Sequence, residues 1–263
     1  MDKKVVVITG ASSGIGLATA NFLVEKGYKV YGLALNDFEA ENFTYYKCDI
    51  TKDEQITEVV EKIYAQEKRI DVLINNAGMG ISGAVEHTKN SSIDLIYNVN
   101  VFGTIKMTRA VLPYMKETGG NIINLSSVAS ELAIPFQSFY SATKASIQAF
   151  ALALRNEVRP FNIKVSCVLP GDTKTGFTSA RVKNEIEEDS SYGTRIKKSV
   201  ATMENDEQHG MSPIMVSKTI YKLIKAKNPA PCKVVGFKYK VFMVLNKILP
   251  RKLVSFILFK MYG

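Results

Sequence analysis

Short apolar runs alternate with helix-length amphipathic stretches from the amino terminus to about residue 170. Such alternation is the pattern of a parallel sheet whose strands are joined by crossover helices. Strands are predicted over 4–9, 29–34, 44–48, 71–75, 120–126, 163–168 and 233–237. The β-α connections allow right-handed crossovers, so the expected class is α/β, a doubly wound sheet of about seven parallel strands with helices on both faces. Sheets of this kind bind ligands at the carboxyl ends of their strands. The longest helix is predicted over 138–158 and stops where Arg159-Pro160 blocks propagation. Residues 173–209 are rich in charge, Ser and Thr without a clean period, and read as a mobile, partly helical insertion that serves as a substrate lid. Ser212-Pro213 opens a further helix over about 212–227, which leads into the last strand.

One domain over 1–237 accounts for this pattern, with a tail over 238–263. A chain of 263 residues suits a single large domain. Its 46% hydrophobic and 22% charged residues exclude a mainly disordered chain. Met1-Asp2-Lys3-Lys4 runs directly into Val5-Val6-Val7-Ile8, a stretch too short for a secretory signal, so a cytoplasmic location is expected. Cys48, Cys167 and Cys232 are far apart in sequence, and His87 and His209 show no ligand spacing to them, so neither a metal site nor a disulfide framework is expected. The net charge of +9 is unevenly placed. From Gln208 onward there are eleven Lys and Arg and no Asp or Glu, leaving 23 basic against 25 acidic residues in the rest.

After the first predicted strand comes Thr9-Gly10-Ala11-Ser12-Ser13-Gly14-Ile15-Gly16, then a helical stretch to Lys26. Glycines there permit a tight turn and let backbone N–H groups approach a pyrophosphate, while the helix amino terminus adds its positive dipole end. The spacing Thr9-Gly10-x-x-x-Gly14-x-Gly16 resembles the cofactor loop of the short-chain dehydrogenase/reductase family. That resemblance implies a Rossmann-type fold and an NAD(P)(H) cofactor held by Gly10, Ser12, Ser13, Gly14, Ile15 and Gly16. The end of the second strand, where an acid would bond the ribose 2′-hydroxyl and an Arg a 2′-phosphate, holds Ala34, Leu35, Asn36 and Asp37. No carboxylate bars a phosphate at the first of these positions, and Ser12 can donate to one, so the reading leans to NADP(H). Asp49, followed by Ile50, resembles the family residue that bonds adenine, although it would serve equally as a strand-end cap before Thr51.

Tyr140-Ser141-Ala142-Thr143-Lys144 sets a phenol and an ammonium on one helix face. Tyr64-Lys68 and Tyr221-Lys225 share that spacing, but only Tyr140 follows a serine, Ser127, at the end of a strand on the nicotinamide side. Reduction of a ketone leaves an alkoxide that needs a proton, and a phenol supplies one if its pKa of about 10 is brought towards neutrality. A cation at Lys144, together with the oxidised nicotinamide, favours the phenolate. Ser127 would hold the substrate oxygen; its neighbour Ser126 points to the other side of the strand. The resemblance assigns Ser127, Tyr140 and Lys144 as the catalytic set, with Lys144 also bonding the nicotinamide ribose. It further assigns Asn100 to a water that relays protons to Lys144. Asn76-Ala77-Gly78, after Asn75, would shape the cofactor floor, and Pro170-Gly171 would carry a Thr to the carboxamide, Thr175 or else Thr173. These motifs span residues 1 to 175 and imply an enzyme that interconverts a secondary alcohol and a ketone, usually as a homo-oligomer.

The tail, 238–263, mixes large apolar residues with cations and is broken by Pro250-Arg251-Lys252. Neither half reaches the roughly 20 residues needed to span a bilayer. It is expected to cover the active site, to contact a partner subunit, or to lie peripherally on the inner face of a membrane. It resembles tails of the hydroxysteroid- and retinol-dehydrogenase-like branch, which implies a bulky apolar substrate such as a steroid or bile acid. Met79, Ile81, Leu132, Ile134, Phe136 and Phe177 flank the motifs and could line an apolar pocket. A 3-oxoacyl thioester reductase and a catalytically silent nucleotide sensor are the alternatives. No nucleic-acid-binding motif is present, and no nucleic-acid partner is expected.

Overall fold

A computed structural model describes residues 3–183 and 191–263. Every predicted apolar run forms a strand: β1 (Val5–Thr9), β2 (Lys29–Ala34), β3 (Thr44–Lys47), β4 (Val72–Asn75), β6 (Gly120–Leu125), β7 (Ile163–Pro170) and β9 (Cys232–Val235). They form one sheet in the order β3-β2-β1-β4-β6-β7-β9, with every neighbouring pair parallel. The chain leaves β1 in one direction across the sheet for β2 and β3, then returns to place β4 on its other side. That reversal opens a crevice above the carboxyl ends of β1 and β4.

Helices α1 (Gly14–Glu25) and α8 (Pro213–Lys225) cover one face, burying Leu23 and Ile220 against Val6, Ile8 and Ile74. The other face takes α2 (Asp53–Glu67), α4 (Thr104–Met115) and α5 (Ser138–Glu157), with Ile63, Met107, Val111 and Leu154 packed on Val7, Leu73 and Val165. Central strands therefore lie buried on both sides, which is why they read as runs rich in apolar residues. At the amino ends of the strands, Asp71 accepts the Val5 N–H at 2.8 Å and a two-pronged bond from Arg69 at 2.6 and 2.9 Å. Asp71, predicted as the first residue of β4, is instead a staple just before it.

Before α4, α3 (Asn90–Tyr97) continues through a π-helical turn over Asn98–Gly103. Sequence periodicity did not reveal β5 (Ile81–Ser82) and β8 (Val182–Lys183), which pair in parallel as a separate ribbon. The predicted lid contains α6 (Phe177–Ala180), β8 and α7 (Gly193–Gln208); its residues 184–190 lie outside the described residues. The predicted last strand ends early, because Gly236, at φ 94°, turns the chain into α9 (Phe237–Ile248), followed by α10 (Arg251–Tyr262).

Candidate active site

A cleft of about 490 Å³ runs over the carboxyl ends of the strands. At one end lies the β1-α1 turn. A Cβ on Gly16 would run into the Gly10 carbonyl and the Asn76 amide, and one on Gly10 would press on Ala77 at 2.9 Å. Only glycine allows this closeness. Asn76 then ties the turn to β4, its Nδ2 donating to Thr9 O at 2.9 Å and Gly10 O at 3.1 Å. The Asn76 and Ala77 N–H groups both donate to Thr9 Oγ1 at 3.0 Å. Ser13, the residue before α1, makes no side-chain cap, so the helix N–H groups face the cleft with Ser12, Ser13, Gly14 and Ile15 along its wall. Gly16 lies behind this wall. These donors and the glycine cradle fit the pyrophosphate of a dinucleotide.

Asp49 and Ile50 line the same end, as expected, together with Leu33, Ala34, Leu35 and Cys48. Asp49 Oδ1 accepts from the Thr51 N–H at 2.9 Å and the Thr51 hydroxyl at 2.8 Å, so it is a strand-end cap as well as a cleft residue. At the end of β2, Asp37 is held by Lys47 at 2.6 Å. Ala77 and Gly78 continue the floor, and Pro170, Gly171, Thr173 and Thr175 form the opposite rim. Thr173 donates to Gly171 O at 2.8 Å, whereas the Thr175 side chain lies against the Gly14 turn, closer to the cofactor end.

Ser127, Tyr140 and Lys144 meet at the far end of this floor. Ser126 and Ser127 follow β6 and diverge. The Ser126 hydroxyl donates to Lys144 O at 2.8 Å and so braces α5, while Ser127 Oγ accepts the Ala129 N–H at 3.1 Å and sits beside the phenol. Lys144 Nζ donates to Leu125 O at 2.9 Å and lies 5.7 Å from the Tyr140 ring centre. Burial pushes the Tyr140 pKa up to about 12, against an opposing hydrogen bond from Ser127; Glu207 and Asp172 raise it and Arg181 lowers it. Burial pulls Lys144 down to about 8. Desolvation thus outweighs the lowering by the Ser127 hydrogen bond and by Arg181.

Asn100 is buried in the π-helical turn, not on the cleft wall. Its Oδ1 accepts the Met79 N–H at 2.8 Å, and its Nδ2 donates to Met79 O at 3.0 Å and Thr143 Oγ1 at 3.1 Å. It braces the floor against α5. Tyr64 stacks on Tyr114 and Tyr221 packs edge-on to Phe22, so the two decoy tyrosines lie in other packing clusters.

Of the apolar residues expected around the substrate, Met79, Ile134 and Phe177 line the cleft. Ile81, Leu132 and Phe136 do not. Ile81 is buried in the small ribbon, Leu132 packs on the core, and Phe136, at φ 62°, turns towards Tyr192 and Arg195. Sequence reasoning missed Met203 and Glu207 of α7 and Tyr262 of α10, which complete this end of the cleft. Glu207 bonds the Thr178 hydroxyl at 2.6 Å and the buried Arg181 guanidinium, joining α6 to α7. Nothing local marks these residues, since long connections bring them back.

Residues 4–186 match the family model described as short chain dehydrogenase. The chain is 40% identical over 234 residues to a 3-ketodihydrosphingosine reductase of Bacteroides thetaiotaomicron, covering 87% of this chain and 86% of the relative. Among solved structures, a short-chain dehydrogenase from Streptomyces avermitilis is 31% identical, covers 94% of both chains and superposes with a TM-score of 0.83. ElxO with NADP bound is 27% identical, covers 91% of this chain and all of that one, and has a TM-score of 0.74. A dinucleotide cradle on a seven-stranded parallel sheet, with sequence likeness along nearly the whole chain, places this protein in the short-chain dehydrogenase/reductase family of NAD(P)-dependent oxidoreductases.

Proposed function

We propose that the chain reduces the ketone of a bulky, largely apolar lipid with NADPH. The observation that carries this reading is a half-buried phenol and a buried ammonium on one face of α5, at the floor of a cleft walled by Met79, Ile134, Phe177 and Met203. The nicotinamide, when bound, supplies the hydride. Ser127 would donate to the carbonyl oxygen and stabilise the charge that develops there. Tyr140 would give its proton to the alkoxide, and a pKa of about 12 keeps that proton in place until the alkoxide forms, which suits reduction. Lys144 would hold the ribose and favour the phenolate left behind, while Asn100 keeps Met79 and α5 in register for a proton relay.

NADPH is preferred in this reading because Ala34 and Leu35 carry no charge and Asp37 is neutralised by Lys47. The name of the Bacteroides relative points to 3-ketodihydrosphingosine, a long-chain amino ketone, as the first substrate to test. Steroid and bile-acid ketones share its bulk and apolarity. Phe102 and Leu152, exposed near and on the long helices, support a homo-oligomer formed there.

The test follows nicotinamide absorbance with NADPH and NADH separately against 3-ketodihydrosphingosine, a 3-ketosteroid, a 3-oxoacyl thioester and a ketose. Highest kcat/KM on the long-chain ketone with NADPH is expected. Preference for the ketose would overturn the substrate reading, and preference for the thioester would replace it with acyl-chain reduction.

A further inference from the structure

The last two helices are turned the unusual way round. Phe237, Val241 and Ile248 recur at helical spacing on the outward face of α9, with Phe237 81% and Ile248 72% exposed. On α10, Leu253, Phe256 and Ile257 form a second outward stripe. A helix on a water-facing surface normally buries such residues and exposes its polar ones. Lys240, Lys247, Arg251, Lys252 and Lys260 stand among them, and no acidic residue follows Glu207.

The inward faces are built differently. Tyr239 of α9 lays its ring on Gly171 and donates its hydroxyl to Asp172, so it grips the Pro170–Thr175 rim. Tyr262 of α10 donates to Asp206 Oδ2 at 3.0 Å and lines the cleft. Arg195 of α7 lies over the Phe259 ring at 5.7 Å. One pair of helices therefore frames the substrate end on its inner side and presents apolar residues and cations on its outer side.

We propose that this outward face docks the enzyme on an anionic lipid surface, bringing the mouth of the cleft next to the bilayer. A second copy of the chain is a poorer occupant. In a two-fold pair the same face meets itself, which would set these five cations against their own duplicates, and neither α9 nor α10 carries a carboxylate to offset them. An anionic headgroup layer supplies the missing charge, and its acyl boundary takes the apolar stripes. Among the described residues no helix is long and apolar enough to cross a membrane, so the helices lie on the surface. The surface stands independently of which ketone the enzyme reduces.

The test sediments the full chain with vesicles of phosphatidylcholine alone or mixed with phosphatidylglycerol. It compares wild type with Ile248→Glu/Phe256→Glu and with Lys247→Glu/Lys252→Glu. The second variant alters only exposed cations, so it stays informative if the first fails to fold. Wild type is expected to bind the anionic vesicles at least about tenfold better than the neutral ones, and both variants to lose that advantage. Because sedimentation reads docking without turnover, a failed substrate assay leaves it interpretable. Equal binding of wild type to both vesicles would overturn the proposal. So would variants that keep full vesicle binding while light scattering shows them falling from oligomer to monomer.

Discussion

Tyr140 and Lys144 hold opposite distortions for one reason. Desolvation disfavours charge, so it raises the phenol to about 12 and lowers the amine to about 8. The amine makes this measurable. The unfolded ammonium titrates near 10.5, so the unfolded chain binds more protons between about 8 and 10.5, and wild type gains stability as pH rises through that window. Lys144→Met should be the more stable protein near neutral pH, by about 3 kcal/mol less about 1 kcal/mol for the lost bond to Leu125 O. Urea denaturation at several pH values checks this, and the advantage should fade as pH approaches 10.5. The neighbouring serines give a second contrast. Ser127→Ala should lower kcat by about 10²-fold, whereas Ser126→Ala, which removes only a brace on α5, should cost about 1 kcal/mol of stability and little activity. The family resemblance, and not spacing alone, singled out Ser127, Tyr140 and Lys144, since Tyr64-Lys68 and Tyr221-Lys225 share the helix spacing. It did not show that Asn100 braces Met79, since a π-helical turn leaves no periodic signature.

At the scale of elements, the central strands were legible because burial on both faces makes them rich in apolar residues, whereas the edge strands β3 and β9 are only partly buried and were read from their place in the alternation of runs and helices; strand ends shifted by a residue or two where a staple or turn intervened. The two-residue strands β5 and β8 carry no such signal and exist through their pairing. The expected insertion over 173–209 was read from composition, but the joints between its helices were not legible in the sequence. Arg181 and Glu207 tie α6 to α7 as an ion pair whose guanidinium side is 1% exposed. Glu207→Ala would leave that buried charge without its carboxylate, at a cost of about 3 kcal/mol. Limited proteolysis should then cut residues 177–208 faster than in wild type, while the sheet core stays protected. Unchanged proteolysis would show that the pair does not hold the lid.

For the whole molecule, the charge asymmetry was visible in the sequence, and it covers the segment that forms α8, β9, α9 and α10. What the sequence left open was direction. Tyr239 and Tyr262 look inward to the cleft while the apolar stripes look out, and only three-dimensional packing separates those faces. The tail accordingly contributes Tyr262 to the cleft wall. The central claim remains a proton delivered by Tyr140 to a ketone reduced at the expense of a nicotinamide. Its most direct measurement is single-turnover oxidation of bound NADPH by 3-ketodihydrosphingosine, for wild type and Tyr140→Phe, with cofactor affinity measured in parallel. The account predicts turnover in wild type, a loss of at least about 10²-fold in the variant, and cofactor binding retained in both. Tight NADPH binding with no turnover on any carbonyl, or equal rates in the two proteins, would contradict it.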